Sequence, residues 1–224
     1  MATTIHPTAI IYPNVTIQDG SSVGPYALIG VPPRGSKPGE LPTVVGPGAI
    51  IRSHTVIYAG TSIGAHFQSG HGAMIREYNR IGDEVSIGSH SVIEHHIVLG
   101  DGVRIHSGAF IPEYSLLEEQ VWVGPNVVFT NALHPRCPKA KQCLQGPRVR
   151  YGAKIGANST LLPDIEIGEL TLVGAGSVVV SDLPPHIVVA GNPAKPIKSI
   201  SDLKCPYGLI DSPYSEDLSK VKRG

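Results

Sequence analysis

Aliphatic residues recur along this chain at every sixth position. The spacing holds from residue 5 to 29, from 45 to 129 and from 149 to 179, and Ser69 is the one position in these runs that is not apolar. An amphipathic helix would space its apolar residues three and four apart, and a half-buried strand would space them two apart. Neither element explains a period of six.

A backbone that turns a corner every six residues does explain it, because the aliphatic side chain then always arrives on the inside. Three flat sides close a triangular coil of about 18 residues, and coils stack about 4.8 Å apart. The bulky Phe67 lies beside the small Ser69, which we interpret as an exchange of volume. Asn79 is an inward amide and needs a hydrogen-bond partner. The positions two before each anchor also point inward and are mostly small or apolar: Ala49, Thr55, Thr61, Ala73, Val85, Ser91, Ile97, Val103 and Ala109.

This pattern resembles the hexapeptide repeat of the left-handed parallel β-helix over roughly residues 5 to 197. The handedness is implied by the resemblance and not by the spacing. We therefore expect an all-β chain with a β-helix domain at residues 1–198 and an irregular C-terminal tail at 199–224. Segments 30–43 and 130–148 leave the period, and extra residues in a solenoid must go outward, so both are predicted to be protruding loops.

Charge and cysteine content restrict the partners. Lys plus Arg equals Asp plus Glu at 18 each, so the basic excess typical of nucleic-acid or anionic-membrane binding is missing. The first residues lack a basic segment followed by an apolar core, and no apolar run reaches the length of a membrane span, so we expect a cytoplasmic protein without membrane or nucleic-acid partners. Three cysteines are too few for a disulfide framework, so reduced thiols are expected.

Residues 18 apart should form vertical columns on the corners of the coil. One predicted column is Glu77, His95, Glu113 and Asn131; a second is His71, Ser89 and Ser107; a third is His54, Gly72, His90, Gly108 and Asn126. Solubility alone would explain any single polar corner residue. A dense cluster within about three coils, beside the start of the second loop, instead indicates a site. Its members are His90, Glu94, His95, His96, His106, Glu113 and Asn131.

Several segments together resemble coenzyme-A-dependent sugar N-acetyltransferases that modify nucleotide-linked amino sugars: GHGAMIRE, SIGSHSVIE, NVVFTN, KIGANSTLLP and VGAGSVV, followed by PPHIVVAGNPAK. The resemblance implies an acyltransferase using acetyl-CoA and a nucleotide-linked amino sugar. It also implies a homotrimer with active sites in grooves between subunits. Acyl transfer to an amine needs a group that orients the amine and takes its proton, which we assign to His95, Glu77 and Glu94. It also needs donors for the oxyanion, and Asn131 or corner backbone N–H groups are expected to supply them.

The remaining site residues follow from the ligands that this resemblance implies. His71 and Arg76 are expected near phosphates, where a fixed cation is useful, and His96, His106 and Glu113 are expected to contact substrate. Gly174, Ala175 and Gly176 are expected to expose backbone to the pantetheine arm of coenzyme A, and Lys195 and Lys198 to meet its phosphates. Glycines with positive φ and solvated lysines would explain the same residues without a cofactor.

Other functions remain open. The chain also resembles γ-class carbonic anhydrases around SGHGAMI, but Arg76 stands where a second histidine would be and cannot bind zinc. His90 and His95 keep a separation that could still serve such a zinc site. An O-acetyltransferase acting on a sugar hydroxyl is a further alternative, and a non-enzymatic scaffold would have no need of the histidine and glutamate cluster.

The second loop places two cysteines near a histidine. His134, Cys137 and Cys143 match no standard zinc spacing, and a structural zinc would need a fourth ligand such as Cys205. Packing alone can order such a loop, so we favour no metal.

Overall fold

The computed structural model describes residues 2–214, which wind into a parallel β-helix of about ten coils with three flat sides. The chain visits sheets A, B and C in turn, and each strand pairs with the strand one coil further on. In the regular coils the register is 18 residues, as for Met74 with Val92 and Arg80 with Val98, and it shortens to 16 in the last coil, where Leu172 pairs with Val188. The predicted all-β class and the six-residue period are confirmed. Residues 215–224, the end of the predicted tail, lie outside the described residues.

The strands are short, and most contain two residues. Sheet A contains Thr4–Ile5, Ser22–Val23, Ile50–Ile51, Gln68–Ser69, Ser86–Ile87, Arg104–Ile105, Trp122–Val123, Lys154–Ile155, Leu172–Val173, Ile187–Ala190 and Lys195–Ser199. Sheet B contains Ile10–Ile11, Leu28–Val31, Val56–Tyr58, Met74–Ile75, Val92–Ile93, Phe110–Ile111, Val128–Phe129, Thr160–Leu161 and Val178–Val179. Sheet C contains Val15–Ile17, Thr43–Val45, Ser62–Ile63, Arg80–Ile81, Val98–Leu99, Leu116–Leu117, Arg148–Val149 and Glu166–Ile167. Within residues 2–214, short 3₁₀ helices span Ala140–Gln142 and Ile200–Asp202.

The core is the column of aliphatic anchors inside the prism. Ile57, Ile75 and Ile93 are completely buried, and burial of one such side chain stabilises the fold by about 1.5–3 kcal/mol. Ile5 is half exposed because it belongs to the first coil and has a neighbouring coil on one side only. The predicted inward positions two before the anchors are buried as well.

Phe67 and Ser69 are both fully buried, as the exchange of volume requires. The Ser69 hydroxyl is also satisfied: its Oγ accepts a hydrogen bond from the Arg52 backbone N–H at 3.0 Å and lies 2.8 Å from Thr55 Oγ1. A small polar anchor therefore costs little here, because its hydroxyl has partners inside the coil.

The Asn79 amide also has its partners. Its Nδ2 donates to the backbone carbonyls of Arg76 at 3.0 Å and Glu94 at 2.8 Å, and its Oδ1 accepts from the backbone N–H of Ile97 at 2.7 Å. The side chain is buried and joins two successive coils at the corner between sheets B and C. It therefore fixes the backbone from which the polar column projects.

Both predicted loops leave the prism at that same corner. The first runs from the sheet B strand that ends at Val31 to the sheet C strand that begins at Thr43. The second leaves after Thr130 and rejoins sheet C at Arg148. Backbone hydrogen bonds dock their ends on the coils, from Gly60 to the Pro42 carbonyl at 2.9 Å and from Asp164 to the Gln145 carbonyl at 3.1 Å. The polar column thus stands between two loops on one edge.

The C-terminal end of the prism is covered by its own chain. Lys195–Ser199 pairs antiparallel with the sheet A strand Ile187–Ala190, and Ile200 behind it is fully buried. Covering this edge removes a row of unpaired backbone groups that would otherwise invite pairing with another chain. Among residues 2–214 the structure contains no helix with the length and apolar character needed to cross a bilayer.

Candidate active site

The corner between sheets B and C is densely hydrogen-bonded. Arg76 donates from Nε and Nη2 to the two carboxylate oxygens of Glu77, at 2.8 and 2.9 Å, and from Nη1 to Glu94 at 3.2 Å. The Tyr58 ring lies 5.1 Å from the guanidinium carbon. Two carboxylates therefore offset the single charge of Arg76.

Glu77 is the buried member of this group, with 7% of its surface exposed. Burial by itself would raise the pKa of the carboxyl, but the hydrogen bonds and the positive charge of Arg76 outweigh it and lower the pKa of Glu77. The hydrogen bond with Glu77 likewise raises the pKa of Arg76. Both side chains stay ionised near neutral pH. Glu77 is therefore a weak proton acceptor, and its ion pair holds Arg76 in position.

His95 begins a second linked series one coil further on. Its Nε2 lies 3.5 Å from Glu113 Oε1, and the other Glu113 oxygen accepts a hydrogen bond from Asn131 Nδ2. Its Nδ1 lies 2.8 Å from Nδ1 of His96. The structure thus brings Asn131, Glu113, His95 and His96 together in that order, beginning where the second loop leaves the prism.

The His95 and His96 contact restricts the tautomers, because one Nδ1 must carry the hydrogen. If His95 directs Nε2–H toward Glu113, its Nδ1 accepts from Nδ1–H of His96, and Nε2 of His96 keeps a free lone pair. Burial, and repulsion from His95 whenever that ring is protonated, lower the pKa of His96, which keeps its ring neutral near pH 7. The arrangement can therefore accept a proton at His96 and share the charge with His95 beside Glu113.

Aromatic rings flank this histidine. His96 lies between Tyr78 and Tyr114, with ring centroids 5.0 and 5.6 Å away. All three residues occupy the same left-handed corner position of successive coils, with φ between 57 and 65°. The same conformation recurs at corners throughout the helix, so the positive φ is a property of the fold and not of this site.

His71 and His106 lie elsewhere on the prism. His71 is at the corner between sheets A and B, where its Nδ1 is 2.7 Å from Ser53 Oγ, and His106 packs on Trp122 from sheet A with ring centroids 4.7 Å apart. His90 is also at the corner between sheets A and B, so a single chain does not bring it together with His95. Within one chain these three histidines are separate from the linked series.

The residues predicted to bind coenzyme A lie in the last coils, roughly 20 Å along the axis from His95. A Cβ on Gly174 would lie 2.9 Å from the Cβ of Ala190, so packing against the strand Ile187–Ala190 accounts for this glycine. Gly176 has a φ of +70° and faces open space, and Ala175 beside it is exposed. Lys195 and Lys198 are exposed on the antiparallel strand.

The cysteine loop gives no metal site in its present geometry. His134, Cys137 and Cys143 line one small cleft, and both cysteines are free and exposed. Among residues 2–214, no group of three histidine, cysteine, aspartate or glutamate side chains is arranged to hold a metal ion.

Sequence reasoning missed two features of the site. Both insertions follow a sheet B anchor, Ile29 or Phe129, and counting the sides of the coil would have placed both loops on the corner that carries the polar column. It also passed over Arg52 and Arg104, which project from the outer face of sheet A together with Trp122.

Comparisons with known proteins agree with this architecture. Residues 80–113 match the family model described as bacterial transferase hexapeptide (six repeats). The fold is that of the Arabidopsis UDP-N-acetylglucosamine acyltransferase structure, with a TM-score of 0.53 and 21% identity over 87% of this chain and 74% of that one. The left-handed β-helix implied by the hexapeptide resemblance is thereby confirmed.

Curated relatives match shorter segments. A 2,3,4,5-tetrahydropyridine-2,6-dicarboxylate N-acetyltransferase of Clostridium perfringens is 40% identical over 79 residues, which cover 35% of this chain and 31% of that protein. Serine acetyltransferase 2 of Arabidopsis thaliana is 48% identical over 56 residues, which cover 25% of this chain and 17% of that protein. This chain thus spans about a third or less of the length of these two relatives.

Proposed function

We propose that this protein transfers an acyl group, acetyl in the simplest case, from a coenzyme A thioester to the amino group of a nucleotide-linked sugar. The observation that carries the proposal is the linked series Asn131, Glu113, His95 and His96 at one corner of a hexapeptide-repeat helix. The two acetyltransferases that match segments of the chain support the class of reaction. The nucleotide-linked acceptor rests on the resemblance of the repeat segments to sugar N-acetyltransferases.

The linked series supplies the proton transfer that this reaction needs. An amine attacks a thioester only in its neutral form, so its proton must leave during attack. Nε2 of His96 accepts that proton, Nδ1–H of His96 passes to Nδ1 of His95, and the positive charge comes to lie beside Glu113. The new C–N bond forms, the C–S bond breaks, and the proton returns to the departing thiolate to give free coenzyme A. Such a positioned base contributes about 10²- to 10⁴-fold in rate.

Arg76, Glu77 and Glu94 support the site in this proposal. Their ion pairs hold one coil of the corner, and the Glu77 carbonyl accepts a hydrogen bond from the backbone N–H of His96 at 3.3 Å. Loss of these pairs displaces the histidines without removing them. The Asn131 amide fixes Glu113, which in turn orients His95.

In this proposal the outer face of sheet B forms the contacts between the three copies of a homotrimer. Its outward residues are almost all apolar, and Ile10, Met74, Phe110 and Val128 remain more than a third exposed in the single chain. Such a stripe favours burial against another copy. If the three sheet B faces meet around a threefold axis, the corner with His95 meets the A and B corner of the next copy. Sheet C of one chain and sheet A of the next then form the walls of a groove.

We assign the binding of coenzyme A to the last coils of the helix. Coenzyme A would lie along this groove with its pantetheine arm against the open corner at Gly176 and its phosphates toward Lys195 and Lys198. We keep the cytoplasm as the proposed location, which suits the three free cysteines of the described chain.

The proposal is tested by thiol release from acetyl-CoA in the presence of a panel of nucleotide-linked amino sugars. His95→Ala should lower kcat about 10²- to 10⁴-fold and leave the Kd for coenzyme A unchanged. His66→Ala, an exposed histidine on the corner between sheets C and A, is the matched control and should keep full activity. Absence of thiol release with every amine and hydroxyl acceptor would refute the assignment.

A hydroxyl acceptor is the second candidate, because the same histidines can deprotonate an alcohol. The relatives leave both outcomes open, since one is named as an N-acetyltransferase and the serine named for the other has both an amino and a hydroxyl group. Hydroxylamine cleaves an ester product and leaves an amide intact, so treatment of the acetylated sugar separates the two.

A further inference from the structure

The outer face of sheet A carries two arginines and two histidines that the acyl-transfer series does not use. Arg52, His71, Arg104 and His106 line one open cavity of about 480 Å³. The other lining residues are glycines, serines, isoleucines and Gln68, and none of those described is acidic. A concave surface with positive side chains and no carboxylate concentrates a positive potential, which favours an anionic ligand.

The guanidinium groups here differ from that of Arg76. Arg76 contacts two carboxylates, whereas within residues 2–214 neither Arg52 nor Arg104 forms an ion pair with a carboxylate. Arg52 Nη1 donates to the Ser69 backbone carbonyl at 2.8 Å, which holds the group in place without neutralising it. The charge available for a ligand therefore lies on sheet A and not at the corner with Glu77.

We infer that this pocket, lined by Arg52, His71, Arg104 and His106, binds the pyrophosphate group of one of the two substrates. Guanidinium groups match phosphate oxygens with paired N–H donors, and imidazole N–H groups add further donors. The inference keeps His71 as a phosphate ligand and replaces Arg76 by the two unpaired arginines. It rests on the proposed function for the identity of the phosphorylated substrates, while the pocket itself lies within a single chain.

An aromatic surface adjoins the pocket. Trp122 packs against His106, and Arg104 also lines a neighbouring cavity together with Trp122, Tyr151 and Lys154. A planar base stacks favourably on such a ring, so a molecule with a base and a pyrophosphate fits the continuous surface. A nucleotide-linked sugar and coenzyme A both have this chemistry, and an assignment to coenzyme A would replace the placement of its phosphates at Lys195 and Lys198.

Isothermal titration calorimetry with inorganic pyrophosphate, UDP and coenzyme A tests the inference on the full chain. Arg104→Gln should weaken pyrophosphate binding by roughly 10- to 100-fold, because a charge-assisted contact is lost. Arg34→Gln removes the same charge from an exposed position in the first loop and is the matched control. Trp122 is the only tryptophan of the chain, so its emission reports binding at this face.

The three probes show which of the two substrates supplies the pyrophosphate group. Weakened binding of UDP alone assigns the pyrophosphate to the nucleotide-linked acceptor, and weakened binding of coenzyme A alone assigns it to the acyl donor. Equal affinities in Arg104→Gln, Arg52→Gln and wild type, or no binding of any probe by wild type, would overturn the inference. Thiol release measured in parallel keeps the two proposals apart. If both variants catalyse the reaction with an unchanged KM, the pyrophosphate pocket is refuted and the acyl-transfer proposal stands. If the wild type binds the anions but releases no thiol, the acyl-transfer proposal is refuted and the pocket stands.

Discussion

Asn79 offers a direct test of how the core holds the candidate site. In Asn79→Leu the volume is nearly kept, but the backbone carbonyls of Arg76 and Glu94 and the backbone N–H of Ile97 lose the partners that the amide provides at 3.0, 2.8 and 2.7 Å. These groups are at a buried position, and an unsatisfied buried group costs about 1–3 kcal/mol. Partial relaxation leaves an expected loss of about 3–5 kcal/mol in the free energy of unfolding.

Ser91→Ala is the matched control at an inward position of the next coil. Its Oγ makes two hydrogen bonds, to the His106 carbonyl at 2.9 Å and from the Ala109 N–H at 3.2 Å, and alanine already occupies Ala73 and Ala109 at equivalent positions. We expect a loss of about 1–2 kcal/mol. Urea denaturation followed by circular dichroism, at one fixed protein concentration, measures both variants. If Asn79→Leu is no less stable than Ser91→Ala, the amide does not hold this corner.

Three further predictions follow from the ion pairs and the apolar face. Because the folded pKa of Glu77 is lowered, its contribution to stability is present above its ordinary value of 4.5 and is lost as pH falls through the lower folded value. In Arg76→Gln that carboxyl keeps the penalty of burial but loses the hydrogen bond and the charge of Arg76, so its pKa is higher than in the wild type. The stability deficit of the variant should therefore be largest near pH 7 and shrink as the pH falls below 4.5; an equal difference in urea midpoint from the wild type at neutral and at acidic pH would contradict this. Phe110→Lys should convert the proposed trimer to monomer in light scattering, whereas Ile50→Lys on sheet A should remain a trimer, and equal masses for the two variants would argue against the sheet B interface. Glu113→Gln should lower kcat about 10- to 100-fold with little change in KM, because it removes the anion beside His95; a rise in KM alone would instead make Glu113 a binding residue.

The repeat made much of this structure predictable. A strict period of six fixes which side chains point inward, and three sides per coil fix which residues are vertical neighbours. For that reason the column of Glu77, His95, Glu113 and Asn131 follows from spacing alone, and the structure connects its last three members through 3.5 Å and shorter contacts. The core anchors follow for the same reason.

The interactions between long side chains were not predictable in this way. Arg76 is able to reach its own coil or the next one, and only its conformation shows that it pairs with both Glu77 and Glu94. Gly174 illustrates a second limit, because the close approach of Ala190 depends on how the segment after Val179 returns to sheet A. Arg52 and Arg104 occupy different positions within the six-residue repeat, so no single column contains both, and the concave surface that joins them appears only when a whole side of the prism is built.

In the trimer that we propose, each groove between two copies of the chain takes His95 from one copy and Arg104 from the next. Mixing unfolded His95→Ala and Arg104→Gln chains in equal amounts and refolding them together tests this requirement, with thiol release at low substrate concentration as the assay. Random assembly of a trimer gives about a quarter of the grooves both native residues, so about a quarter of the wild-type activity should return. Activity no greater than the average of the two refolded parent variants would show that the groove is not built from neighbouring chains in this way.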